Sequence, residues 1–209
     1  MELLEKIRLS DDQVQQLEDG NMVVIPASWE EFMDFLVETT YKAEYHKGEI
    51  IIMGLASFIH ETLVVIFSTL LRTFYPYSEY TVAGSNLGVK TADAKGYYNP
   101  DVTVIKGSPV FYKQSKAIIT NPYLVVEVLS ASTYHYDLIE KLPKYERIES
   151  LQEVVFVDGF DKAIYTFKRT ADPKVWIQTI FDAENDTVVI DTMTVKLNDI
   201  FDKLPIIQE

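Results

Sequence analysis

The sequence predicts an α/β (α+β) protein. Its core is a helix followed by three strands, a helix and a strand, in a mixed sheet with an antiparallel C-terminal extension. Three observations predict this. Ser57 to Tyr75 carries Phe58, Leu63, Ile66, Phe67, Leu70, Leu71 and Phe74 on one broad apolar helical face, and Pro76 ends it. Asn99–Ile105, Tyr123–Ser130 and Glu153–Asp158 are short β-branched and apolar runs of the buried-strand type. Beyond Asp158 the pattern alternates, with turn signals at Asp172-Pro173 and Glu184-Asn185-Asp186. Two buried-type runs carry an acid where none belongs. Asp101 opens one, and Glu127 sits among Leu124, Val125, Val126, Val128 and Leu129. A carboxylate there is costly unless a cation or metal pairs with it.

Composition bounds the rest. The 209 residues suffice for one sizeable core, and 47% apolar with 24% charged content is ordinary for a globular chain. With no cysteine, disulfides and thiolate metal sites are excluded. No apolar run reaches the ~18 residues of a membrane span. Met1 to Gln16 lacks the apolar stretch of a signal peptide, so a cytoplasmic protein is expected. The net charge of −13 argues against a globally basic, phosphate-gripping surface. From Ser85 to Arg147, however, eight Lys/Arg stand against six acids, so the acid excess lies toward the ends.

In chain order, Ser10 caps a short helix through Leu17, with Gly20 stopping it. Ser28 caps a second helix to about Thr39, with Phe32, Phe35 and Leu36 on one face. Ala43 to Met53 predicts a hairpin turning at Lys47-Gly48, its flanking acids Glu44 and Glu49 solvated. His60 and Glu61 start the long helix. Thr81–Gly84 and Leu87–Lys90 predict a kinked strand region. A loop from Thr91 to Tyr98 leads into the Asp101 strand. Lys106 to Thr120 is a polar insertion, expected as a loop near the site. A helix from about Tyr136 to Ile148 follows the Glu127 strand at once, with Pro143 as a kink. Asp137 and Lys141 are four apart and share a face, as do Lys141 and Tyr145. Such an acid–lysine pair is commonly a surface ion pair worth about 0.3–0.5 kcal/mol. Here the helix start lets Lys141 reach back over the strand end. Val195 to Phe201 closes the chain with a strand end and a short helix.

The order of elements, with Pro100-Asp101 and then Glu127, resembles the restriction-endonuclease-like PD-(D/E)XK core. The finer resemblance is to the Uma-two family of proposed bacterial endonucleases. It rests on Glu44 through Gly48-Glu49, His60, Pro100-Asp101-Val102 and Glu127-Val128-Leu129-Ser130. Ser132-Thr133, Asp137, Lys141, Tyr145 and the strand ending in Val157-Asp158 complete it. The resemblance covers roughly Trp29 to Asp158. It implies one domain over 1–209, with a core at about 43–158, an N-terminal helical segment at 1–42 and a β extension at 159–209. Leu129 stands where the wider nuclease pattern has a lysine, and Lys141 matches the helix lysine that replaces it in this family.

The resemblance implies a Mg²⁺- or Mn²⁺-dependent endonuclease acting on nucleic acid, DNA first. Asp101, Glu127 and a backbone carbonyl near Val128 would hold the metal. Lys141 would orient a water or stabilise charge on the phosphate. Glu49, His60, Asp137 and Tyr145 are supporting candidates, and a homodimer is in keeping with related folds. Two alternatives stand beside it: a nuclease-fold module that binds nucleic acid or protein without cutting, and a structural domain with a metal-free ion network. Everything here rests on Asp101, Glu127 and Lys141 converging within a few ångströms, open to solvent.

Overall fold

Capping residues and buried-strand runs set most of the element boundaries. The computed structural model describes residues 7–91, 96–202 and 204. Of the expectations above, those on Met1–Lys6, on Asp93 and Lys95, and on part of the Thr91–Tyr98 loop lie outside the described residues.

Ser10 caps α1 (Asp11–Glu18) through a capping box with Gln13. β1 (Val23–Pro26) follows, a strand inside the stretch expected to be helical. Ser28 and Glu31 form the same box at α2 (Trp29–Glu38). β2 (Ala43–His46) and β3 (Glu49–Ile52) turn at Lys47 and Gly48, both with positive φ, a conformation glycine takes without cost. Ser57 caps α3 (Phe58–Phe74) by accepting from the His60 N–H. Leu63, Phe67 and Leu71 are its buried stripe, but Phe58 and Phe74 at its ends are exposed. The buried apolar face is thus shorter than the sequence suggested, although Ile66 and Leu70 still pack against the core.

The expected kinked strand region is two strands in different sheets, β4 (Tyr80–Gly84) and β5 (Gly88–Lys90). The close of the expected loop is β6 (Gly96–Tyr98). β7 (Val102–Lys106) begins just after Asp101. The polar insertion contains β8 (Ile118–Ile119), which pairs with β5. It leaves β7 at the end opposite Asp101, so it is not beside that acid. β9 (Leu124–Leu129) carries Glu127.

Next comes a π-helical segment, Tyr136–Lys141, in which the Leu142 N–H reaches the Asp137 carbonyl. It runs into the short α4 (Leu142–Tyr145), which ends before the expected Ile148. Pro143 has no N–H to continue an ordinary ladder, which favours the wider turn just before it. β10 (Glu153–Asp158), β11 (Ala163–Arg169) and β12 (Trp176–Phe181) follow. β13 (Thr187–Ile190), β14 (Met193–Lys196) and α5 (Leu197–Phe201) complete the order.

The main sheet has the order β12-β11-β10-β9-β7-β4, and β9–β10 is its parallel pair. The second sheet has the order β1-β3-β2-β6-β5-β8. Alternation along β9 decides the layers. Leu124, Val126 and Val128 pack with Leu63, Phe67 and Leu71 of α3 and with the β13–β14 hairpin and α5. Val125 and Leu129 face the other way, toward Ile51, Val89 and Tyr98 of the second sheet and Leu142 and Tyr145 of α4. The outer face of the second sheet packs on Leu17 of α1 and Phe32 of α2.

A carboxylate pair, buried Glu153 and part-buried Asp191, pins the β13–β14 hairpin. Glu153 Oε2 accepts from the Asp191 N–H at 2.6 Å, and Asp191 Oδ2 accepts from the Tyr75 and Tyr123 hydroxyls at 2.9 and 3.2 Å. Burial lifts the Glu153 carboxyl from its ordinary 4.5 to about 7, against the pull of the Asp191 N–H and Lys168. Between those values the folded chain holds a proton that the unfolded chain has lost. Stability from this group is therefore full below pH 4.5 and falls as pH rises through about 7. The unfolding free energy from urea titrations should drop across that window, with this group contributing no more than about 1.4 kcal/mol per pH unit. Glu153→Gln should flatten the slope.

Candidate active site

β9 alternation points Glu127 toward the π-helical segment and the second sheet. Asp101, one residue before β7, stands opposite Glu127 by continuation of the Val102–Val126 antiparallel register. The Val128 N–H donates to Asp101 Oδ2 at 2.9 Å, locking the two strand ends together. From the helix, Lys141 Nζ reaches Asp137 Oδ1 at 2.8 Å, Glu44 Oε1 at 3.0 Å and Glu127 Oε1 at 3.2 Å. It also lies 5.2 and 5.9 Å from the ring centroids of Tyr136 and Tyr98. The Tyr145 hydroxyl donates to Glu127 Oε1 at 2.5 Å. Four residues overshoot an α turn and undershoot a π turn, so a π turn followed by an α turn keeps Asp137, Lys141 and Tyr145 aligned on one face.

Asp101 has a second set of partners. Its Oδ1 meets Lys42 Nζ at 2.8 Å, and its Oδ2 meets His60 Nε2 at 3.2 Å. Burial opposes its charge, but Lys42 and His60 outweigh that and hold its pKa well below the carboxylate range. The same contact holds the His60 imidazole above its ordinary value despite burial. Glu127 goes the other way. Burial pushes its carboxyl up to about 8, and Lys141 does not offset this because its charge is shared with Asp137 and Glu44. Burial also raises Asp137. Burial works against the Lys141 ammonium, yet Asp137, Glu127 and Glu44 hold its pKa far above the ordinary lysine value.

The structure therefore brings together Asp101, Glu127, Lys141, Asp137, Tyr145 and His60. Glu49 does not join them: it is exposed at the hairpin turn, opposite His46. Asp137–Lys141 is not a surface pair; both side chains are buried. Nor is the cluster open to solvent as expected. Glu44, Asp101, Glu127, Asp137 and Lys141 are each no more than 3% exposed, because the second sheet covers that face. Its outward edge is formed by His60 and by Lys42, whose side chain is 31% exposed. Of the lysines in the middle of the chain, Lys90 and Lys141 are buried and add nothing to a basic surface.

Glu44 and Lys42 are the residues that sequence reasoning missed. Glu44, expected in solvent, is fully buried; its Oε1 accepts from the Asn99 N–H at 2.9 Å as well as from Lys141. The signal was available. Lys42, Glu44 and His46 alternate with Ala43 and Tyr45, so one face of β2 is polar and the other packs with Phe32. The polar face was read as solvent-facing because a two-stranded hairpin normally has one. Here β6 and the helix cover it.

Residues 29–198 match the Uma2 family model, described as putative restriction endonuclease. The chain belongs to the Uma2 family. Similar proteins include the uncharacterized protein sll1609 of Synechocystis sp., 31% identical over 165 residues that span 79% of this chain and 93% of that one. A second Synechocystis protein, slr1290, is also uncharacterized and 31% identical, over 143 residues spanning 68% of this chain and 74% of its own length. The fold is similar to the crystal structure of a putative nuclease belonging to DUF820 from Anabaena variabilis. The TM-score is 0.68 at 18% identity, covering 85% of this chain and 98% of that one. The Uma2 fold here is restriction-endonuclease-like: α3, β4, β7, β9, the π-helical segment with α4, and β10 supply the core in that order.

The Uma2 family is described as putative restriction endonuclease, and restriction-endonuclease-like enzymes generally use divalent metals. The donors fit a hard cation: carboxylate oxygens of Asp101, Glu127 and Glu44, with Glu44 Oε2 buried and accepting no well-aligned hydrogen bond. Among the described residues, no three His, Asp or Glu side chains converge as they stand closely enough to hold an ion. Ammonium groups stand between them. Removing the central one should be severe. Lys141→Met leaves Glu44, Glu127 and Asp137 without their shared cation and should cost about 3–5 kcal/mol in urea denaturation at pH 7. Adding Asp137→Asn should recover part of that loss.

Proposed function

We propose that this Uma2 protein is a metal-dependent endonuclease that hydrolyses phosphodiester bonds, with DNA as substrate and Mg²⁺ or Mn²⁺ held by Asp101 and Glu127. One observation carries the reading. Four buried carboxylates, Glu44, Asp101, Glu127 and Asp137, face two ammonium groups, Lys42 and Lys141. With every acid ionised two negative charges would remain; His60 offsets at most one of them, and at neutral pH the raised Glu127 carboxyl makes up the rest by holding a proton. A structural network would be expected to close its charge, because uncompensated buried carboxylates are costly. A divalent cation would supply the compensation that a proton on Glu127 and the His60 imidazolium supply without it.

When bound, the metal would polarise the scissile phosphate and supply a nucleophilic water at neutral pH. The chain's own residues do the rest. Asp101 is aimed by the Val128 N–H and by His60. Glu127 is aimed by Tyr145 and Lys141. Lys141, 3% exposed and ringed by three carboxylates, acts here as a positioning residue for Glu127 and Glu44 rather than as a group that touches phosphate.

A second reading, a nuclease-fold module that binds without cutting, draws on the same crowding: every oxygen of Asp101 already has a partner. Cleavage of plasmid and single-stranded DNA with Mg²⁺ or Mn²⁺ decides between them. Asp101→Asn and Glu127→Gln should each lower the rate at least about 100-fold. Glu49→Gln should leave it unchanged. DNA binding with no cleavage in either metal would favour the module.

A further inference from the structure

Lys42 precedes β2, and its own carbonyl accepts from the Met53 N–H at 2.9 Å, so its backbone is fixed within the hairpin. Period-two alternation puts its side chain on the face that carries Glu44. Its ammonium meets Asp101 Oδ1 at 2.8 Å, its one ion pair among the described residues. That oxygen has no other partner there, since the Val128 N–H and His60 both bond Oδ2. Burial works against the charge of Lys42, yet Asp101, Glu127 and Glu44 together hold its pKa above the ordinary lysine value. Its field therefore reaches the same carboxylates that Lys141 serves from within.

The two ammoniums differ in one decisive respect. Lys141 has three carboxylate partners and is closed from solvent, so it has no room to leave. Lys42 has one partner and a side chain 31% exposed on the outer edge. An unbranched four-carbon stem with an open side exchanges its contact easily.

We propose that Lys42 is the place-holding cation of this site: in the metal-free protein it occupies Asp101 Oδ1, and a divalent metal binds by displacing it from that oxygen. This rests on the metal-dependent reading given above. It makes metal affinity a competition between a resident ammonium and an incoming ion for one carboxylate oxygen. No bond is made or broken beyond the exchange of ionic partners. The displaced ammonium stays tethered at the outer edge, where a polyanionic substrate would arrive.

The test is Mn²⁺ titration of the full chain by calorimetry at pH 7, for wild type, Lys42→Met and Lys42→Arg. Lys42→Met removes the competitor and should tighten Mn²⁺ binding tenfold or more. Lys42→Arg places a planar fork on the same carboxylate, which grips more firmly, and should weaken Mn²⁺ binding several-fold. These opposite signs are not those of a merely structural residue, whose replacement would weaken binding in both. Thermal melts give a second readout: Lys42→Met should melt lower than wild type without metal and gain more from Mn²⁺. Equal affinity in wild type and Lys42→Met would overturn this proposal while leaving the metal-dependent reading intact. No Mn²⁺ binding in any of the three would overturn both. Binding in Lys42→Met alone would support it strongly.

Discussion

One ammonium shared by three carboxylates holds this molecule's buried charge cluster together. Lys141 Nζ touches Glu44 from the second sheet, Glu127 from the main sheet and Asp137 from its own helical turn. Each acid comes from a different element, so the contact ties the layers together. Without it, three buried negative charges would repel across the layer between the sheets. With it, the charge is still not balanced, because one cation cannot serve three anions. Burial accordingly pushes Glu127 up to about 8. The site is thus held in tension, stable enough to form and short of positive charge.

That tension separates the two ends of the cluster. The inner end is closed by Lys141, Tyr145 and the rings of Tyr98 and Tyr136. The outer end is Asp101 with Lys42 and His60, and only there do the side chains meet solvent. His60 is placed by a plain local device, the Ser57 cap that accepts from its N–H. The π-helical segment does the same for the inner end. Pro143 withholds an N–H, the turn widens, and Asp137, Lys141 and Tyr145 come into line. Both are backbone effects that serve the chemistry of side chains far away in sequence.

Much of this was legible in the chain itself, for a definable reason. Asp101 and Glu127 stood out because an acid in a buried-type strand violates the pattern around it. The helix after β9 was legible because Ser130 to Thr133 offers caps, and its start fixed where Lys141 would reach. The layers were not legible. Short apolar runs do not say which sheet they join, so β4 and β5 read as one bent strand although they lie in different sheets. Glu44 and Lys42 were lost with that information. A polar face on a hairpin means solvent unless another element covers it, and the covering strand β6 lies some fifty residues downstream, behind residues with no strong strand pattern. The π-helical turn was invisible for a similar reason, since spacing of four is common to both helix types.

The two-faced strand β2 has a consequence for anyone trimming the chain. Ala43 and Tyr45 hold the hairpin to α2, while Lys42 and Glu44 reach into the carboxylate cluster. The N-terminal helices are therefore the scaffold behind two of the six charged groups of the cluster, Lys42 and Glu44. A fragment cut back to the central strands would keep Asp101 and Glu127 and lose Lys42 and Glu44, the partners that the hairpin supplies.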